Sequence, residues 1–361
     1  MFWEQEQYPW GDMTNPERIG LLRDIVFPRY SEIFVSHEPE RKAIREKYNV
    51  AGTLKFCSDP RIGLEILGIY DGELGIKRGI GSVVPDADPL YRAIFSRLLD
   101  KHEDRRLDHL YVQSWHFSES DKHKCCAGQH YDRDTAENSG KAEVEKMRGI
   151  YRTKRFVYPI LIGIETDRGE VTFHGYDGST LKCSEASHMT DDEIYLRLHR
   201  MYRDSIYKKH LPESLKLYIL DRLIRGNIRY MAGRHAETSS VLQKQHQFVL
   251  GLGSGFFTIP RGRVLIIPPF PMDKKAELLK GAELIRKVLK SKRIRPENGF
   301  ILSTSTMFDN PDDESWAAEE SLRLMDFAAK TLEKEVPDLY EIMGRMPLIL
   351  DRTTRETTII G

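Results

Sequence analysis

Cys57 opens the segment Cys57-Ser58-Asp59-Pro60-Arg61, a C-x-D-x-R pattern, and His116 is followed by two adjacent thiols, Cys125 and Cys126. Two thiolates and an imidazole suit zinc, a borderline-soft ion that takes sulfur and nitrogen donors, and three protein ligands leave a fourth position for water. An ion held in this way acidifies its water toward neutrality. Asp59 stands two residues beyond Cys57, near enough in sequence to accept the proton. Arg61 can pair with Asp59, keeping it ionised and aimed.

Each residue alone has a plainer reading. A single cysteine at a strand end is commonly a small buried hydrophobe, and Asp59 with Arg61 could be a surface ion pair worth little. His116, between Trp115 and Phe117, could be a hydrogen-bonded core histidine. Their conjunction favours a metal site. Two alternatives stay open within it: His123 and Cys126 form a literal H-x-x-C, and Cys125 and Cys126 are equivalent by chemistry. His116 is preferred over His123 because it ends a strand, as a rigidly held ligand should.

The elements that must hold these residues are readable as an α/β rhythm. Ala51 to Phe56 is a short apolar run that delivers Cys57 at its carboxyl end, and Asp108 to Trp115 delivers His116 in the same way. Ile76 to Val84 is glycine-rich and loop-like, Asp88 and Pro89 open a helix, and residues 117 to 140 are polar with a helix expected from about Lys141. Strands follow at Phe156 to Ile164 and Glu170 to His174, joined by the turn Asp167-Arg168-Gly169. Strand and helix alternation predicts a sheet flanked by helices, whose reactive groups gather at the carboxyl ends of strands. Further on come helices over 190 to 231, strands at Gln247 to Gly251 and Arg263 to Pro268, a helix over 273 to 290, a strand at Phe300 to Thr304 and a helix over 314 to 334. The domains expected are a helical lead-in at 1–46, a zinc-binding catalytic domain at 47–189, and a helical connector with a second domain at 190–361.

Composition narrows the classes. Lys+Arg and Asp+Glu both number 55 in 361 residues, so the basic excess of a nucleic-acid binder is absent. Apolar runs are too short for a membrane span and the amino terminus lacks a secretory signal pattern, so a soluble, cytoplasmic protein is expected. Gly251 to Gly255 (GLGSG) leads into strand-like residues rather than a helix, which fails the dinucleotide-turn test. A cysteine-phosphatase would need an arginine where Gly63 stands.

The C-x-D-x-R segment, the R-G-x-G passage at Arg78 to Gly81, the strand ending in His116 and the later cysteine resemble the β-carbonic anhydrases. The resemblance is closer to their divergent branch, the carboxysomal shell carbonic anhydrases, in which a longer polar loop separates the zinc histidine from the second cysteine. His116 to Ala127 is similar to that loop, about one residue shorter. Leu161 to Asp167 (LIGIETD) and His246 to Phe256 resemble further segments of the family. The resemblance implies a β-carbonic-anhydrase-like sheet followed by a degenerate second copy without zinc ligands, and an enzyme (a lyase) hydrating carbon dioxide reversibly to bicarbonate. It implies one zinc ion per chain on Cys57, His116 and Cys126, Asp59 and Arg61 as a dyad, and Gly79 and Gly81 beside the substrate. It also implies a homo-oligomer built on dimers, and a carboxysome with its shell or Rubisco as neighbours. The family ordinarily carries an extra N-terminal region, whereas here the strand bearing Cys57 begins almost at once, a departure that bears on the carboxysome expectation alone. Two other readings compete: hydrolysis of carbon disulfide or carbonyl sulfide at the same type of site, and a non-catalytic zinc protein serving as a scaffold.

Overall fold

The computed structural model describes residues 8–57, 62–79, 108–120, 125–126, 129–150, 156–204, 209–236, 247–260, 262–267, 274–291 and 294–361. The chain divides into two compact units, one formed by 39–239 and the other by 1–38 together with 240–361.

In the 39–239 unit a six-stranded sheet has the order β2-β1-β3-β4-β5-β6. Its strands are β1 (Val50–Cys57), β2 (Gly75–Gly79), β3 (Asp108–Phe117), β4 (Val157–Glu165), β5 (Glu170–His174) and β6 (Thr180–Lys182). β2, β1, β3 and β4 run parallel, while β5 and β6 return antiparallel. Interior parallel strands are covered on both faces and so read as continuous apolar runs rather than alternating ones. β3 follows this rule, being buried from His109 through Phe117. The helix Arg133–Ile150 packs on β3 and β4, where the Trp115 indole lies so close to Gly163 that a Cβ there would stand 2.9 Å from the ring. A short hairpin, β7 (Arg203–Asp204) and β8 (Lys209–His210), precedes the helical run Glu213–Ala236.

The other unit has a five-stranded sheet in the order β10-β9-β11-β12-β13, with β9 (Val249–Gly253), β10 (Val264–Ile267), β11 (Phe300–Phe308), β12 (Met343–Asp351) and β13 (Thr357–Ile359). Four strands are parallel and the last is antiparallel. Order and direction thus repeat those of β2-β1-β3-β4-β5.

The correspondence reaches individual hydrogen bonds. Thr166 N–H donates to Phe117 O at 2.8 Å, and Arg352 N–H donates to Phe308 O at 2.9 Å. The Glu165 carboxylate accepts from the N–H groups of Asp167 and Arg168, and the Asp351 carboxylate accepts from those of Thr353 and Thr354. Gly169 and Arg355, the equivalent fourth loop residues, both have left-handed backbones, with φ of 71° and 61°. The fold is therefore α/β, a sheet with flanking helices followed by a second copy.

Several local expectations change. The helix expected from Lys141 begins at Arg133, because the Asp132 carboxylate accepts from Thr135 N–H at 2.6 Å and caps it. The glycine-rich passage contributes strand β2 at its start, Gly75–Gly79. Phe256–Thr258 is one 3-10 turn rather than strand. The helix expected from Asp88 lies outside the described residues. Among the described residues, no helix is long and apolar enough to cross a membrane.

Candidate metal centre

Cys57 is the last residue of β1 and His116 the penultimate residue of β3, so two parallel strands bring a thiol and an imidazole to one edge of the sheet. The chain leaving β3 then returns Cys126. Ligating atoms of Cys57, His116 and Cys126 all lie within 4.8 Å of one another, and all three residues are buried. The two Sγ atoms are 3.7 Å apart. Two thiolates each about 2.3 Å from a tetrahedral ion would stand roughly 3.8 Å apart. The donor set and its spacing therefore fit zinc, or another divalent ion that accepts sulfur and nitrogen.

Cys125 is turned elsewhere. Its Sγ accepts from Ser118 N–H at 3.4 Å and faces Ser118 O at 3.7 Å. Cys126 is held from its other side, its carbonyl accepting from the N–H groups of Gln129 and Tyr131, both at 3.0 Å. His130 and Tyr131 complete that turn with left-handed φ values of 56° and 62°, a conformation that non-glycine residues adopt at a cost. Gly79 pairs in register with Cys57. Asp59, Arg61, Gly81 and His123 lie outside the described residues.

Trp115 and Phe117, the neighbours of His116 along β3, project to the other face of the sheet and are closely layered there. Trp115 and Phe117 stack with ring centroids 5.0 Å apart, and the Arg133 guanidinium sits 4.0 Å over the Phe117 ring. Trp115 Nε1–H donates to His174 Nε2 at 3.2 Å. Burial lowers the His174 imidazole to about 4, a push that Lys141 reinforces and Glu137 opposes. His174 is thus neutral at physiological pH and free to accept that bond.

The acidic turn after β4 grips the chain leaving β3. Asp167 accepts from Ser118 Oγ–H at 2.8 Å and from Ser120 N–H at 2.9 Å. Burial raises its carboxyl, but the bonds from Ser120 and Ser118, with help from Glu165, outweigh this and hold it at about 2. Glu165 is shifted upward, first by burial. In the sequence this turn is legible only as the join between two strands and as part of a segment resembling the family; its partner Ser118 carries no signal of its own.

Lys55 was also missed. It is fully buried, two residues before Cys57 on the same strand, and its charge counteracts the upward shift that burial imposes on Glu143.

Among its described residues the second copy has no equivalent centre. Register pairs Phe117 with Glu165 and Phe308 with Asp351, so Met307 stands where His116 does. Extending the pairing of Lys55 with Gln113 by two residues, and that of Gly253 with Ser305 by one, places Ser254 where Cys57 does. Residues 118–132 carry both cysteines between β3 and the helix at Arg133, whereas only 309–313 separate β11 from the helix at Glu314.

No family model matches the sequence, and no curated protein matches it. Among solved structures, one described as the beta-carbonic anhydrase CcaA is matched with a TM-score of 0.31 and 14% identity, over 46% of this chain and 89% of that chain.

Proposed function

We propose that the chain is a zinc-dependent carbonic anhydrase, catalysing reversible hydration of carbon dioxide to bicarbonate and a proton. The observation that carries this reading is the buried convergence of Cys57, His116 and Cys126. The C-x-D-x-R segment and the spacing of the histidine and second cysteine, which resemble the carboxysomal shell carbonic anhydrases, support it. Cys57, His116 and Cys126 would hold the ion, which when bound supplies the Lewis acidity that makes a water nucleophilic near neutral pH.

The chain's own residues supply the rest. Asp59 accepts the hydrogen of the attacking group at a carboxylate oxygen and so orients its lone pair toward the carbon. Arg61 keeps that carboxylate ionised. Gly79, alongside Cys57, leaves room for the substrate next to the thiolate. The resemblance further supports a homo-oligomer and a carboxysome as the setting.

Stopped-flow CO₂ hydration on reduced protein with its zinc quantified tests the reading. Rapid, chelator-sensitive turnover at about one zinc per chain is the expected result. Stoichiometric zinc without turnover between about pH 7 and 9, the range in which a metal-activated water is ionised, would reject it in favour of a sulfur substrate or a scaffold. Absence of zinc would reject the site itself.

A further inference from the structure

The turns after β4 and β12 share one hydrogen-bonding scheme, and they differ where the first faces the metal centre. In both, a carboxylate ending the strand accepts from N–H groups two and three residues on, and the N–H of the residue immediately after that carboxylate reaches across to a phenylalanine carbonyl. Since the second copy keeps this arrangement without the ligands, the shared part serves the fold. Asp167 is extra. Thr353 holds its place in the second copy, and Asp309 holds that of Ser118, pairing instead with Arg352 at 2.8 Å.

Among the described residues, the path from the turn to Cys126 is therefore unbroken in the unit with the three candidate ligands and has no counterpart in the other. Asp167 accepts from Ser118 Oγ–H and Ser120 N–H, Ser118 binds the Cys125 thiol through its backbone N–H and C=O, and Cys126 is the next residue. Cys125 is buried and its thiol faces the peptide of Ser118 rather than the metal centre.

We propose that Asp167, Ser118 and Cys125 form a clamp that presets Cys126 for a divalent, thiophilic cation. All three are positioning residues, acting through Cys126 and touching neither metal nor substrate. The inference rests on the metal-site reading above. A ligand on a long loop loses conformational freedom when it binds, and a loop already fastened loses less. Removing outer partners of metal ligands generally weakens binding about 10- to 100-fold.

The test uses Zn²⁺ and Co²⁺ alone with the full, reduced chain. Zinc affinity is measured by competition with a chromogenic chelator, and thiolate ligation by the charge-transfer absorption of bound Co²⁺. Cys125→Ala and Asp167→Asn should each weaken zinc about 10- to 100-fold, with the absorption per bound Co²⁺ unchanged because both ligating thiols remain. Cys125→Ser, whose hydroxyl donates and accepts at the same place, should recover most of the loss.

Wild-type affinity in Cys125→Ala and Asp167→Asn, with Cys126→Ala unable to bind, would overturn the clamp and leave the metal site standing. A lowered melting temperature of the metal-free protein with unchanged affinity would do the same, since it marks a purely structural role. Loss of the charge-transfer band in Cys125→Ala but not in Cys126→Ala would overturn the clamp by making Cys125 the ligand. Failure of the wild-type chain to bind either ion would overturn clamp and site together. Should Cys125→Ala not fold, Asp167→Asn and Ser118→Ala carry the same comparison.

Discussion

His174 ties the acid stability of the 39–239 unit to Trp115, the residue beside the candidate metal ligand His116. Its Nε2 accepts from Trp115 Nε1–H at 3.2 Å, so the proton of the neutral ring resides on Nδ1, 3.9 Å from Glu137 Oε1. Protonating Nε2 would break the bond to Trp115 and place a charge in a site only 9% exposed. In the unfolded chain a histidine titrates near 6.5, but burial here lowers it to about 4. The folded form thus prefers the neutral ring. The associated stability is complete above about pH 6.5 and is lost as pH falls toward and through 4. At about 1.4 kcal/mol per pH unit the loss reaches about 3 kcal/mol by pH 4. Glutamine at this position can accept from Trp115 through its amide oxygen and does not titrate. The unfolding free energies of wild type and His174→Gln, from urea titrations, should therefore diverge by about 3 kcal/mol between pH 7 and pH 4, with wild type losing more. In histidine-labelled protein, the imidazole resonance that disappears in His174→Gln should titrate near 4. A resonance titrating near 6.5, or stability curves of the two proteins that run parallel with pH, would refute the argument.

Three further outcomes are expected. Asp59→Ala should retain stoichiometric zinc and lose most CO₂ hydration, whereas Cys57→Ser should lose the zinc itself; metal analysis with stopped-flow kinetics separates the two, and full activity in Asp59→Ala would dismiss the dyad. Glu73→Gln should cost about 3–5 kcal/mol in urea unfolding, because it leaves the Arg222 guanidinium, bonded to both Glu73 oxygens at 3.0 and 2.8 Å, without its counter-charge in a buried setting. Gly163→Ala should cost about 1–3 kcal/mol by driving a methyl group against the Trp115 indole, and an unchanged urea midpoint would show that the ring moves aside freely.

The strands that hold Cys57 and His116 were legible because each is a buried parallel strand, written as an apolar run that stops at the chemistry. The helix start at Arg133 was not, because Ser139 and Gly140 within it read as loop; tertiary packing overrides their propensity, Gly140 lying close to Leu161 and Trp115. β12 was passed over because Met343, Gly344 and Arg345 open it without an apolar signal, and its five-residue buried stretch arrives only at Met346. A candidate set of two cysteines and one histidine could be assembled from residue types and spacing, with Cys126 as its second thiol only by the family resemblance. Choosing between Cys125 and Cys126 could not, because adjacent thiols differ only in the direction the backbone gives them, and that direction comes from Ser118.

The duplicated fold separates what the architecture requires from what the chemistry requires. Both copies keep the strand order and the four-residue turn with its carboxylate and its left-handed fourth residue, although Gly169 meets that backbone freely and Arg355 does so at a cost. Retention despite that cost marks the turn as part of the sheet's construction. The candidate metal donors behave oppositely. Ser254 and Met307 stand in place of Cys57 and His116, and neither a serine hydroxyl nor a thioether is a customary ligand for zinc. Restoring cysteine and histidine at those two strand positions would still leave the second copy one thiolate short, since residues 309–313 lead directly into a helix and cannot bring a cysteine back over the sheet edge. The strands present two of the candidate ligands and the returning loop adds the third, in the copy where that loop is also fastened through Ser118 and Asp167.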